Sequence, residues 1–282
     1  MRAPPAVQHA LRTPDGETLA LHDWPLAAGA ARAIVLVVHG LGEHAGRHAN
    51  VAERLNHWGF EVRALDQHGH GASSGTRGAL PTAGRLLDDL ARVVDDTRHA
   101  HPALPLVLLG HSLGGLVAAS FVARATRPID GLVLSSPALD AGLSAFQKLL
   151  VATLSRVAPG LRVGNGLDLR QLSHDPAVAE AYRADPLCHD RISARLARFL
   201  ADEGAVVRAA APRWAVPTLL MYAGDDRLVD PAGSRAFAQA APPSMVSATC
   251  FADHYHEIFN EREADAVFDR LHRWLDERFP PT

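Results

Sequence analysis

Hydrophobic positions along this chain follow two alternating rhythms. Short runs dense in Val, Leu, Ile and aromatic residues occupy 18–24, 33–38, 60–65, 106–109, 131–135, 218–222 and 246–251. Their length and composition predict β-strands. Between them, apolar residues recur three or four positions apart over 45–58, 80–100, 113–125, 231–240 and 261–279, the spacing of one helix face. The run Ile34-Val35-Leu36-Val37-Val38 is apolar at every position. Such a strand is buried on both faces, so the alternation predicts an α/β fold with a mostly parallel central sheet flanked by helices.

The alternation breaks once, between 136 and 212, where the pattern turns helical without strands. Leu143, Phe146, Leu150, Leu154 and Val157 form one stripe, and Leu196, Phe199 and Leu200 belong to a second helix. An all-helical insertion between two strands predicts a cap over the strands' carboxyl ends, the edge where open α/β sheets bind ligands. The expected organisation is a core of residues 1–135 and 213–282 with a cap of 136–212. Most of the stripe is expected to pack the cap on the body, leaving a few positions to line a pocket.

Composition narrows the function classes. With 282 residues, 48% hydrophobic and 21% charged, the chain can bury a sizeable core. A net charge of -3 offers no basic field, so no nucleic-acid partner is expected. Cys188 and Cys250 are too few for a disulfide framework. A reduced, cytoplasmic setting is the default, with both thiols packed as small apolar groups. Segment 1–7 has two prolines and no apolar stretch, so it does not read as a signal peptide. Residues 103–123 are the most hydrophobic window of membrane-span length, but His111, Ser112 and the glycines inside it argue for a buried strand and helix.

The candidate chemistry starts at Gly110-His111-Ser112-Leu113-Gly114-Gly115, which follows one predicted strand and opens a predicted helix. A serine hydroxyl becomes a useful nucleophile on a tight, exposed turn beside a base and preformed amide donors. Glycines two positions either side let neighbouring backbone pass close. The base in such a topology sits on the loop after the last strand, where His254 and His256 both qualify. A buried carboxylate must orient it, and the loop after 218–222 offers Asp225, Asp226 and Asp230. Asp230 followed by Pro231 also reads as a helix cap. The pairs His39 with His44 and His68 with His70 lack metal-site spacing, so neither metal nor organic cofactor is expected.

The segments His39-Gly40-Leu41-Gly42-Glu43-His44, Asp66-Gln67-His68-Gly69-His70-Gly71 through Gly75, and 110–115 resemble the α/β-hydrolase fold. More narrowly they resemble its monoacylglycerol lipase and lysophospholipase branch, over nearly the whole chain. That resemblance implies the order serine, acid, histidine, with the cap between serine and acid. It selects His256 within Tyr255-His256-Glu257 as base, and Asp226, four residues before Asp230, as acid. In this fold one oxyanion donor is the amide after the nucleophile, here Leu113, and the resemblance places the second at the Leu41 amide. It also implies that Glu43 and Arg47 favour a glycerol-like leaving group, although their spacing equally fits a surface ion pair on a helix start. The segment 66–75 reads as structural, holding neighbouring loops in place.

The implied activity is hydrolysis of monoacylglycerols or related fatty acyl esters through an acyl-serine intermediate. An apolar cap suits an acyl chain, each buried methylene contributing about 0.8 kcal/mol. A triad alone does not choose the bond attacked. A broad short- to medium-chain carboxylesterase, or an acyltransferase or peptidase with the same triad, is the alternative; a non-catalytic relative would usually have lost a triad member. Phe259 stands where mammalian monoacylglycerol lipases carry a second histidine, and Val229 at their thiol-bearing position. Leu172-Ser173-His174-Asp175-Pro176 and Asp185-Pro186-Leu187 resemble microbial cap sequences, which favours a bacterial-type lipase. The expected partner is a small ester or lipid, with transient membrane-surface contact through the cap and a cytoplasmic or peripheral location.

Overall fold

A computed structural model describes residues 6–281. Residues 1–5, most of the segment read above as lacking a signal peptide, lie outside the described residues. The strands are β1 (Val7–Arg12), β2 (Thr18–Trp24), β3 (Ile34–Val38), β4 (Glu61–Leu65), β5 (Leu106–His111), β6 (Gly131–Ser135), β7 (Arg162–Gly164), β8 (Arg191–Ser193), β9 (Thr218–Ala223) and β10 (Val246–Phe251). The helices are α1 (Ala49–His57), α2 (Arg85–Ala100), α3 (Leu113–Ala123), α4 (Ala145–Val157), α5 (Pro176–Ala184), α6 (Ala194–Ala210), α7 (Pro231–Ala240) and α8 (Asp265–Arg278).

Eight strands form one sheet in the order β1-β2-β4-β3-β5-β6-β9-β10. Pairing is antiparallel where β2 meets β1 and β4, and parallel from β4 through β10. The strand period of two sorts the apolar runs onto both faces. Ile34, Leu36, Val38, Leu106 and Leu108 pack toward α2 and α3, while Val35, Val37, Val107 and Leu109 pack toward α1 and α8. This is the doubly covered, mostly parallel sheet that the sequence pattern predicts.

Four readings need correction. Strand β1 was not anticipated, because its run VQHALR is exposed and lies at the sheet edge against β2 alone. The insertion is not strandless: β7 and β8 pair as a small antiparallel ribbon, each strand only three residues long and too short for a periodic signal. Helix α4 does not pack its apolar stripe on the body. It has no buried residue, and Phe146, Leu149 and Val157 are 73%, 65% and 74% exposed. The cysteine expectation also fails in part, since Cys250 is exposed and Cys188 only half-buried.

The carboxyl ends of β3, β5, β6, β9 and β10 meet at one edge, and segment 66–75 braces it. Asp66 is fully buried. Its Oδ1 accepts from the Ala45 amide at 2.8 Å, and its Oδ2 accepts from the Ala72 amide at 2.8 Å and lies 3.1 Å from His22 Nε2. Burial pushes this carboxyl's pKa up, but the His22 contact, the nearby His39 ring and these amides outweigh it, leaving the pKa well below the usual range. The segment therefore joins β2, β4 and the loop after β3, as the structural reading anticipates. Asp66→Ala leaves the buried Ala45 amide without its acceptor and removes the acceptor of the Ala72 amide, whose residue is exposed, and is expected to cost about 1 to 3 kcal/mol. Urea unfolding should show a lower midpoint with an unchanged slope.

Candidate active site

Ser112 sits between β5 and α3 at φ 54°, ψ -118°, a conformation that costs a side-chain-bearing residue energy. Its amide donates to the Ser135 carbonyl at 3.0 Å, and its carbonyl accepts from the Leu116 and Ala138 amides, both at 3.0 Å. The turn is tight enough to require its glycines. A Cβ at Gly114 would overlap the carbonyls of Val38 and His39, and one at Gly110 would overlap the start of α3. This is the sharp strand-to-helix turn that presents a serine at a sheet edge.

Asp226 and His256 arrive from the ends of β9 and β10. His256 Nδ1 donates to Asp226 Oδ2 at 2.7 Å, with the two side chains 4% and 2% exposed. The Leu228 and Val229 amides donate to Asp226 Oδ1 at 2.9 and 3.1 Å, so this carboxylate is fixed from both sides. Asp225 instead pairs with Arg227 at the surface, and Asp230 caps α7 through the Ala232 amide. His254 lies outside this pair, beside the Phe251 ring. The order and partners inferred for Asp226 and His256 therefore coincide with the pair in contact. Burial alone would lower the His256 pKa, but Asp226, then Glu257 and Glu43, outweigh it and raise the value above 6.5.

Two backbone donors face the same region. Leu113 is the first residue of α3, so its N–H has no carbonyl one turn back. No described residue accepts from the amide of Leu41 or of Leu113. The Leu41 N–H shares a rigid peptide plane with the Gly40 carbonyl. His39 Nδ1 donates to that carbonyl at 2.7 Å, while His39 Nε2 accepts from the Gln67 amide at 2.9 Å. His39 thus orients the Leu41 amide, and the glycine allows close approach: a Cβ at Gly40 would stand 3.2 Å from the Ser112 Cβ.

Ser112, His256, Leu41 and Leu113 line one cavity of about 240 Å³ with Glu43 and Arg47. Leu143, Val151, Leu167, Leu172, Ile192 and Leu200, all from the insertion, make much of its wall apolar. Glu43, Arg47, Tyr182, Asn165 and Glu257 bring polar groups to the same cavity. The Glu43–Arg47 pair is not the surface ion pair its spacing allows. It is buried, and Arg47 Nη1 donates to Glu43 Oε2 at 2.6 Å and to Glu257 Oε1 at 2.7 Å. Burial pushes the Glu43 carboxyl up, yet His48, Arg47 and His111 hold it well below the usual range. Sequence reasoning missed Asn165, Tyr182 and Glu257. Only Glu257 had a local signal, as the carboxylate next to His256. Phe259 faces away, packed on Phe268 with ring centroids 5.1 Å apart.

One group with metal-ligand chemistry occurs among the described residues: His44, Asp185 and Cys188, with ligand atoms within 4.8 Å of one another. The Gly46 amide donates to His44 Nδ1 at 3.1 Å, which leaves the ring proton on Nε2, 2.8 Å from Asp185 Oδ2. Burial pushes the Cys188 thiol up to about 12. His44 and Asp185 are thus paired with one another, and Cys188 lies beside them.

The sheet order, left-handed serine turn and helical insertion define the α/β-hydrolase fold, and the chain belongs to the family described as "Serine aminopeptidase, S33", whose model matches residues 29–263. It is 36% identical over 247 residues to a monoacylglycerol lipase of Mycolicibacterium smegmatis, covering 86% of this chain and 88% of that protein. It is 30% identical over 272 residues to the monoglyceride lipase of Rattus norvegicus, covering 94% and 88%. The crystal structure of Paleococcus ferrophilus monoacylglycerol lipase superposes with a TM-score of 0.81 at 32% identity, covering 98% of this chain and 100% of that one. The resemblance read from the three glycine-rich segments is thereby borne out.

If His256 is the group that must be neutral for turnover, its raised pKa sets the acid limb of kcat/KM above pH 6.5. Asp226→Asn removes the main raising influence, so burial dominates and the limb should move to lower pH, with kcat falling about 10,000-fold. The same shift means the fold binds the imidazolium more tightly than the unfolded chain does. That contribution to stability is full below pH 6.5 and is lost as pH rises through the folded-state value. A pH–rate profile of both proteins, with pH-dependent unfolding, checks each sign.

Proposed function

We propose that this chain is a serine carboxylic ester hydrolase that cleaves monoacylglycerols. The observation that carries the reading is the Asp226–His256 hydrogen bond behind Ser112, in a cavity with both polar and apolar lining. The relatives named as monoacylglycerol lipases support the substrate class. Ser112 Oγ attacks the ester carbonyl carbon as His256 Nε2 takes its proton, and Asp226 stabilises the imidazolium. The Leu41 and Leu113 amides receive the developing oxyanion, each worth roughly 3 kcal/mol in the transition state. Collapse breaks the bond to the glycerol oxygen, which leaves with the proton from His256. A water, deprotonated by His256, then attacks the acyl carbon; the bond to Ser112 Oγ breaks, that oxygen takes the proton back from His256, and the fatty acid leaves.

In the same reading residues 136–212 act as a cap whose apolar wall holds the acyl chain. Ser112→Ala is expected to lower hydrolysis more than roughly 10,000-fold. An organophosphonate should inactivate the protein at one serine, and chelators should not affect it. Across monoacylglycerols and p-nitrophenyl esters of increasing length, kcat/KM should rise beyond butyryl. A maximum at acetyl to butyryl would replace the lipid reading with a short-chain esterase.

No helix among the described residues is long and apolar enough to cross a membrane. The exposed face of α4 and the turn after it nevertheless present Phe146, Leu149, Leu150, Val157 and Leu161 to solvent, with Lys148, Arg156 and Arg162 close in sequence. A patch of this kind suits shallow contact with an anionic lipid surface, where the acyl substrate resides. Phe146→Asp with Leu149→Asp should abolish sedimentation with phosphatidylglycerol vesicles while turnover of a dispersed p-nitrophenyl ester stays within about twofold. Unchanged vesicle binding would remove this contact.

A further inference from the structure

The groups nearest the reacting atoms are carried by two loops that the sheet does not join. One follows β3 and contains Leu41; the other follows β10 and contains His256. Three strands, β5, β6 and β9, separate β3 from β10. A direct connection runs across this gap at the carboxyl edge. The Gly40 amide donates to Glu43 Oε1 at 2.6 Å. Glu43 Oε2 accepts from Arg47 Nη1 at 2.6 Å. Arg47 then grips Glu257 with both terminal nitrogens, at 2.7 and 2.9 Å. Glu257 is the residue after His256, and its own amide donates to the Leu172 carbonyl at 2.7 Å.

We propose that the buried chain Gly40–Glu43–Arg47–Glu257 is a strut that fixes the oxyanion loop relative to the His256 loop, so that Glu43, Arg47 and Glu257 are positioning residues rather than alcohol-binding ones. The inference rests on the hydrolase reading above. It follows from how the bonding capacity is spent. Both Glu43 oxygens are occupied, since Oε1 also lies 3.2 Å from His48 Nε2. The Arg47 bonds to two carboxylates take up three of its five N–H donors, and its guanidinium lies 4.9 Å from the Tyr182 ring centroid. Gripping a glycerol hydroxyl through those donors would break charge-assisted bonds between side chains only 4 to 11% exposed. The grip on Glu257 is also a planar, two-point contact. It fixes direction as well as distance, which a single ammonium does not.

The test is kinetic and uses two leaving groups on one acyl chain: a monoacylglycerol and the matching p-nitrophenyl ester. Arg47→Lys keeps a cation but loses the two-point grip. Glu257→Gln keeps the shape and loses the charge, and it decides the matter should Arg47→Lys melt early. For both variants, kcat is expected to fall roughly 10- to 100-fold on both esters, with KM within about twofold, because a misplaced oxyanion donor affects every leaving group alike. Phosphonate labelling of Ser112 should slow by the same factor. A loss confined to the monoacylglycerol, or appearing in KM alone, would overturn the strut in favour of alcohol binding, and so would unchanged kcat in a stably folded Glu257→Gln. Ser112→Ala in the same assay separates the two readings: activity surviving there overturns the hydrolase mechanism, whereas activity lost there and kept in both strut variants overturns the strut alone.

Discussion

The carboxyl edge of the sheet depends on the Ser112 backbone staying at a positive φ. Three backbone hydrogen bonds, to Ser135, Leu116 and Ala138, hold it there and tie the turn to β6 and α3. The conformation is affordable only because Gly110 and Gly114 let β5, α3 and the loop after β3 come together without side chains between them. That close approach places the Leu41 and Leu113 amides on either side of one cavity. Relaxing the turn would move the Ser112 side chain and the Leu113 amide at once, since the two residues are adjacent.

Around this turn the protein keeps several carboxylates buried, each with its capacity filled. Asp66 braces the loops behind the site, Asp226 holds His256, and Glu43 is clamped by Arg47, His48 and the Gly40 amide. A buried carboxylate is unfavourable unless such partners surround it. The partners come from different strand ends, so satisfying these charges also fixes the loops against one another. Glu43 and Asp226 act on different loops, yet both lie close enough to His256 to favour its protonated form. The electrostatics that would stabilise an imidazolium in the reaction are therefore the same that hold the site together.

The insertion meets two demands with different faces. Its inner side supplies Leu143, Val151, Leu167, Leu172 and Leu200 to the cavity, while α4 leaves its largest apolar side chains in solvent. The ribbon of β7 and β8 lies nearby, and backbone bonds such as His189 N–H to the Gly42 carbonyl at 2.8 Å anchor the insertion directly to the loop after β3. The wall of the cavity and the loop beside Ser112 are thus one connected structure.

Much of this was legible in the sequence, because the information was local. Short all-apolar runs bounded by turn residues, such as 34–38, give doubly buried strands, and the turn at 110–115 carries its own steric requirement. Asp226 and His256 could be placed from the order of elements together with the resemblance. What the sequence could not supply were facts of distance between remote residues. Nothing in the spacing of Glu43 and Arg47 distinguishes a surface pair from a buried one; burial was decided by Glu257, more than two hundred residues away, closing over Arg47. The direction of the α4 stripe was equally undetermined. Periodicity shows that a helix has an apolar face, and only the tertiary arrangement of α6 and the sheet shows whether anything covers it. The sequence by itself determined seven of the sheet's eight strands, the serine turn and the candidates for its partners, through short-range sterics and periodic burial. The folded chain alone decided which charges are buried, which apolar face is left bare and how the loops after β3 and β10 are joined, because those depend on contacts between segments far apart along the chain.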